Sequence, residues 1–199
     1  MEPYEIIAAP FDVWVAALGE AFPLIDAAPG GGWTKVGTNG NKNISEDGVT
    51  VSHEESIEEF RMLGATGPIK ASRTSEGLSV SFMLHDITLE QYRAALGFNA
   101  LTTVAAASGT AGYKWAGLAK ALDVAERAVL IRGPSPYGDS WNLQYQVPRA
   151  YVRSEAEVVY QKGEPAGLEI TFVALVDLDA ATEAEQFGRI VAQHAAPLP

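Results

Sequence analysis

With 199 residues, 47% of them hydrophobic, no cysteine and a formal charge of −11, the chain is long enough for one full domain and short for two. The missing cysteine excludes disulfides, thiolate metal sites and cysteine nucleophiles, so packing and hydrogen bonding alone must hold the fold. The acidic balance argues against a grip on nucleic acid, which needs clustered Lys and Arg, yet it suits a task in which DNA must not be held.

Residues 1–20 mix small and apolar side chains, and Pro10 would be awkward in a central strand or a helix interior, so an N-terminal arm or early edge strand is expected. The N-terminus has neither a basic start nor an apolar signal core. Apolar runs such as 170–176 fall far short of the roughly 20 residues that span a bilayer, so neither secretion nor a membrane partner is indicated. Pro29-Gly30-Gly31-Gly32 is a turn, Trp33-Thr34-Lys35-Val36-Gly37 a short strand, and 38–43, with Gly40 and three asparagines, a loop.

Residues 49–60 begin with β-branched Val49, Thr50 and Val51 and alternate over their first positions, the period of a half-buried strand. Six carboxylates (Glu46, Asp47, Glu54, Glu55, Glu58, Glu59) fall between Glu46 and Phe60, with no Lys or Arg to offset them. Such a face must be wet. Leu63-Gly64-Ala65-Thr66-Gly67-Pro68 stacks two glycines and a proline and reads as a connecting loop. Strand segments 69–73 and 78–84 follow, separated at Ser75-Glu76-Gly77, with Leu78, Val80, Phe82 and Leu84 on one face. They read as a long hairpin or two arms of one.

Thr88-Leu89-Glu90-Gln91 has the spacing of a capping box and predicts a helix over 89–96, with Leu89, Tyr92, Ala95 and Leu96 on one face and Gly97 as the stop. The Ala- and Gly-rich stretch 102–121 is open between loop, strand and short helix. Further on, strands are expected at 127–131, 141–147, 150–152, 157–160 and 168–178, with a turn at Gly133-Pro134-Ser135-Pro136. Thr171-Phe172-Val173-Ala174-Leu175-Val176-Asp177 followed by Thr182-Glu183-Ala184-Glu185 echoes Ser81-Phe82-Met83-Leu84-His85-Asp86 followed by Thr88; chance is the competing explanation.

Catalytic signatures are missing from this pattern. His53, His85 and His194 are scattered and no His-Glu-x-x-His occurs, so no metal or other cofactor is expected. No Gly-x-Ser-x-Gly supplies a nucleophile elbow, and the glycine clusters lack phosphate-cradling spacing. Asn43-Ile44-Ser45 matches a glycosylation sequon without a secretion signal. Glu54, Glu55, Glu58 and Glu59 have the chemistry for acid and base catalysis or cation binding, but consecutive pairs on a strand point to opposite faces, so a solvated or channel-facing strand is favoured. The four tryptophans are too scattered for a stacking platform and are expected in core or interface packing.

Taken in order, Trp33-Thr34-Lys35-Val36-Gly37, Gly48-Val49-Thr50-Val51-Ser52, Ile57-Glu58-Glu59, residues 68–74, residues 78–84, Ile87-Thr88-Leu89-Glu90 and Ala95-Leu96-Gly97 resemble a major tail protein, the tail tube subunit of a long, non-contractile phage tail. Val147-Pro148-Arg149-Ala150 and 170–177 extend the resemblance over most of the chain, as a pattern of element order and residue character.

The resemblance implies a mainly β fold: a β-sandwich with a flanking short α-helix and a long loop, one domain over 1–199, closing into hexameric rings with a continuous inner β-barrel. It places an inter-ring loop at 60–70, with Met62, Leu63, Gly64, Thr66 and Pro68 as contacts, together with Pro3 and Tyr4 of the N-terminal arm. A C-terminal helix or arm is expected over 180–199. Glu54, Glu55, Glu58 and Glu59 become candidates for the lumen wall, where like charge repels the DNA backbone and lets it slide.

The implied partners are other copies of the chain and the tape measure, tail terminator and tail tip proteins, with DNA passing unbound. The implied location is the virion tail, and the host cytoplasm during assembly. Rival readings are a monomeric β-sandwich module that binds a ligand such as carbohydrate; a hydrolase of dispersed residues; and a tail terminator or secretion-system tube protein of similar architecture.

Overall fold

Period-two alternation builds the core. In the computed structural model, which describes residues 6–120, 122–153 and 157–197, Leu78, Val80, Phe82 and Leu84 on one strand and Leu168, Ile170, Phe172 and Ala174 on its neighbour all point inward and are buried. The rings of Phe82 and Phe172 meet at 6.3 Å, within the range of favourable aromatic pairs.

The described elements are β1 (Asp12–Ala16), β2 (Thr34–Lys35), β3 (Ile44–Phe60), β4 (Lys70–Leu84), α1 (Leu89–Ala95), β5 (Leu101–Val104), β6 (Tyr113–Ala116), β7 (Glu126–Ser135), β8 (Gly138–Val152), β9 (Leu168–Ala174) and β10 (Arg189–Ala192). One antiparallel sheet runs β2-β1-β7-β8-β9-β4-β3, with β10 added on β8 and a separate β5–β6 ribbon. The sheet folds over on itself. Val13, Val129, Ile131 and Val147 from its first half share one buried cluster with the β4 and β9 side chains and with Ala94 and Ala95 of α1.

Strand β7 is buried on both faces. Ala128 and Leu130 point away from the main cluster into a second one with Ala16 and Trp33, covered by Phe22. The segment carrying Phe22 is pinned by polar side chains of β7 and β8: Gln144 donates to the Pro23 carbonyl (3.0 Å), Asn142 to Ile25 (3.0 Å), and buried Arg132 to Ile25 and Ala27. Burial pulls the Arg132 guanidinium below its ordinary value, with Asp26 acting in the opposite direction.

Several local expectations change. The segments 69–73 and 78–84 are halves of one continuous strand, β4, because the Gly77 region stays paired with β3 and Thr74 is absorbed as a bulge. Gly133-Pro134-Ser135 lies inside β7, with Pro134 opposite Asn142, and the chain reverses only after Ser135. Residues 157–160 are not a strand, β9 stops at Ala174, and the open stretch 102–121 contains the β5–β6 ribbon. Over the described part of 180–199 there is no α-helix: Glu183–Glu185 is a single 3-10 turn, and β10 then pairs with β8.

The helix forms where expected and is capped differently. Thr88 makes no side-chain cap bond; Asp86 accepts from the Thr88 amide instead, and the Gln91 side chain accepts from the Gly37 amide. The Gly97 amide donates to Ala94 and the Phe98 amide to Arg93, a Schellman ending with Gly97 at φ 79° and Phe98 at φ 64°. Leu89 is exposed, so the buried face is Ala94, Ala95 and Leu96 with Tyr92 packed beside it.

Candidate functional site

The β3–β4 hairpin outgrows the body. Strand β9 covers only Ser79 to Leu84 of β4; beyond that the two strands pair only with each other, and residues 53–60 and 70–76 are exposed. An isolated two-stranded ribbon is marginally stable in water. Its existence calls for a surface to lie on.

Register assigns each side chain of the ribbon to a face, because directly paired residues share one. Val49 pairs with Phe82, Val51 with Val80, His53 with Leu78 and Glu55 with Glu76, so these residues lie on the core side. Past the Thr74 bulge, Ile57 pairs with Arg73 and Glu59 with Ala71 on that same side. Arg73 there reaches Glu55 at 3.0 Å and Glu76 at 3.7 Å, and Arg61 reaches Glu59 at 2.9 Å. Glu55 and Glu59 are therefore neutralised.

The opposite face carries Thr50, Ser52, Glu54, Ser56 and Glu58 on β3, Ser72, Ser75, Gly77, Ser79, Ser81 and Met83 on β4, and Glu169, Thr171 and Val173 on β9. Hydroxyls are its commonest group. Glu54 faces Gly77 and Glu58 faces Ser72, and neither makes an ion pair within 4 Å among the described residues. The four glutamates are thus split two and two. Composition revealed the charge; the serine row and the Arg73 clamp become visible only once register is fixed.

The outer edge of β3 is the end of the sheet, open from Ile44 onward. Between Ile44, paired with Leu84, and Val49, paired with Phe82, the four residues 45–48 oppose Met83 alone and bulge outward, with Gly48 at φ 72°. Exposed Glu46 and Asp47 sit on that bulge.

At the far tip, residues 61–69 form the loop, with Ile69 N–H donating to Phe60 O at 2.9 Å and Ala65 to Met62 at 3.0 Å. Met62, Leu63, Ile69, Phe60 and Ile57 are exposed around it, Leu63 fully, while Gly64, Thr66 and Pro68 complete the turn. Large apolar side chains thus gather at one exposed tip. Pro3 and Tyr4, the other expected contacts, lie outside the described residues.

The root of the hairpin is held by Asp86. Its carboxylate accepts from the Thr38 amide (2.8 Å) and hydroxyl and from the Thr88 amide (3.2 Å), tying the 38–43 loop, the exit of β4 and the start of α1 together. Burial pushes the Asp86 carboxyl up, but the bonds from Thr38 and Thr88 outweigh it and hold it below the usual carboxylate value.

The histidines do not converge: His53 is on the ribbon, His85 follows β4 with Nδ1 3.2 Å from the Ala166 carbonyl, and His194 follows β10. Among the described residues no group of three or more His, Cys, Asp or Glu could hold a metal ion. Of the tryptophans, Trp33 is in the second core cluster, Trp14 packs against it, and Trp115 is exposed on β6.

A search among curated proteins finds no match. A family profile described as "Phage tail tube protein" matches residues 3–187. Because that match takes in the core strands, the projecting hairpin and the helix at its root, the chain belongs to the phage tail tube protein family, structural proteins of the virion tail that assemble with other tail proteins into a tube.

Proposed function

We propose that six copies close into a ring in which the hydroxyl face of β3, β4 and β9 lines a channel, and that stacked rings form the conduit for the genome in a long, non-contractile tail. The observation that carries this reading is the division of the glutamates. Glu54 and Glu58 project without counter-ions from a face of serines and threonines, whereas Glu55 and Glu59 are clamped by Arg73 and Arg61 on the side where a neighbouring copy would lie.

Physical economy supports the arrangement. A sheet edge as long as β3 invites pairing with another chain, and closure into a barrel removes it. The wall of a wide barrel faces water and must be polar. Short hydroxyl side chains keep such a wall smooth, and unpaired carboxylates repeated by symmetry keep phosphate from sticking. The tip residues Met62, Leu63, Gly64, Thr66 and Pro68 would contact the next ring, with Pro3 and Tyr4 of the arm; tape measure, terminator and tip proteins would meet the tube's interior and ends.

The test is charge reversal on each face. Glu54→Lys with Glu58→Lys is expected to leave tubes intact and to slow DNA ejection and lower infectivity. Glu55→Lys with Glu59→Lys should instead weaken assembly, since it sets a lysine beside each of Arg73 and Arg61. Normal ejection from tubes carrying the first pair would sink the assignment of the channel face.

A further inference from the structure

On this acidic chain, basic groups converge at one place. A cleft of about 350 Å³ opens between the β1–β2 edge and α1, lined by Lys35, Arg93 and Arg127 over an apolar floor that includes Val15, Val36 and Phe98. Six of the fourteen Lys and Arg are engaged elsewhere: Arg61, Arg73, Lys114, Arg149 and Arg189 each have a carboxylate partner, and Arg132 is buried against carbonyls. Lys35 pairs with Asp12 at 2.8 Å. Arg93 and Arg127 have no carboxylate within 4 Å among the described residues; Arg127 stacks on the Phe98 ring at 4.8 Å, and the one carboxylate lining the cleft, Glu90, is bound to Lys114 at 2.5 Å.

The cleft is also built at a conformational cost. Phe98 is the only non-glycine residue with positive φ among those described, and left-handed backbone at a bulky residue persists only where the surroundings enforce it. Here the Schellman ending of α1 and the Arg127 stack hold the ring in the cleft wall.

We propose that this cleft is a socket for a carboxylate-bearing segment of a second copy of the chain. Charge complementarity selects that occupant. Each copy carries −11, so subunits repel one another at long range, and their packing needs points where cations of one copy meet the unpaired carboxylates of the next. Two arginines without a carboxylate within 4 Å among the described residues, set in a partly apolar recess, make such a point stronger than a fully exposed pair. The contact is heterologous, socket to segment, the kind that propagates an assembly. The proposal rests on self-assembly but not on which face lines the channel.

The experiment uses purified full-length protein, with Arg93→Glu as the main variant and Arg127→Gln as the second, each checked for native circular dichroism and melting. Critical concentration for tube formation is read by sedimentation and negative-stain microscopy at low and high salt. If the socket is right, Arg93→Glu raises the critical concentration about tenfold or more, the gap between variant and wild type narrows at high salt, and the folded variant caps wild-type growth, because it still offers its acidic segment. Arg127→Gln gives a smaller rise in the same direction. Wild-type tubes with folded variants that assemble at the wild-type concentration would overturn the socket, including the case where those tubes fail only when other tail proteins are added. No wild-type tubes at any concentration would instead overturn self-assembly.

Discussion

Asp86 shows how one carboxylate can organise a junction. It replaces the expected capping box at α1 and simultaneously holds Thr38, so loop, strand exit and helix start share one anchor. Because its folded pKa lies below the ordinary value, its contribution to stability is fully present above the ordinary carboxylate pKa and is lost as pH falls through the folded one. Asp86→Asn is therefore expected to cost about 1–2 kcal/mol at pH 7, with the difference from wild type closing as pH falls below the ordinary carboxylate pKa. Urea unfolding of both proteins at several pH values checks it; a difference that stays constant into acid would show that the charge is not the source. The Thr88-to-Gln91 spacing located the helix correctly because it marks where a helix starts. It misassigned the bonds because the Asp86 carboxylate takes the Thr88 amide, and the Gly37 amide takes the Gln91 side-chain oxygen that would have accepted from the Thr88 amide.

At the scale of elements, the hairpin was the most legible part of the chain and also the part where periodicity failed most instructively. Alternation at 78–84 identified a buried face because β9 packs there; over 70–76 nothing packs, so no period was imposed and one strand looked like two. Ser75-Glu76-Gly77 and Gly133-Pro134 carry turn chemistry, yet both continue in strands whose partners supply the pairing. Residues 102–121 could not be classified for the same reason as 70–76: a two-stranded ribbon with exposed Tyr113 and Trp115 has no buried face to reveal its period. The hairpin tip makes its own prediction. Met62→Ser with Leu63→Ser should leave monomer stability within about 0.5 kcal/mol, as substitutions on an exposed surface do, while reducing stacking of rings. Thermal melting and tube length by microscopy measure the two effects; a large loss of monomer stability would mean that the tip packs on its own body.

The whole molecule consists of a well-packed body and an appendage without a core of its own. The body accounts for nearly all the buried side chains, from Val13 to Ala174, and would hold its shape as a single copy. The ribbon, the open β3 edge, the apolar tip and the basic cleft are exposed in one copy, and on the proposed reading a neighbouring copy completes them. On the proposed reading, Glu54 and Glu58 act only there, as a surface repeated by symmetry. Cryo-electron microscopy of tubes assembled from the pure protein tests this most directly. The account predicts six subunits per ring, with Glu54, Glu58 and the serine row of β4 facing the channel and Glu55 and Glu59 covered by a neighbour. A reconstruction with Glu54 and Glu58 on the outer surface, or buried between subunits, would contradict it.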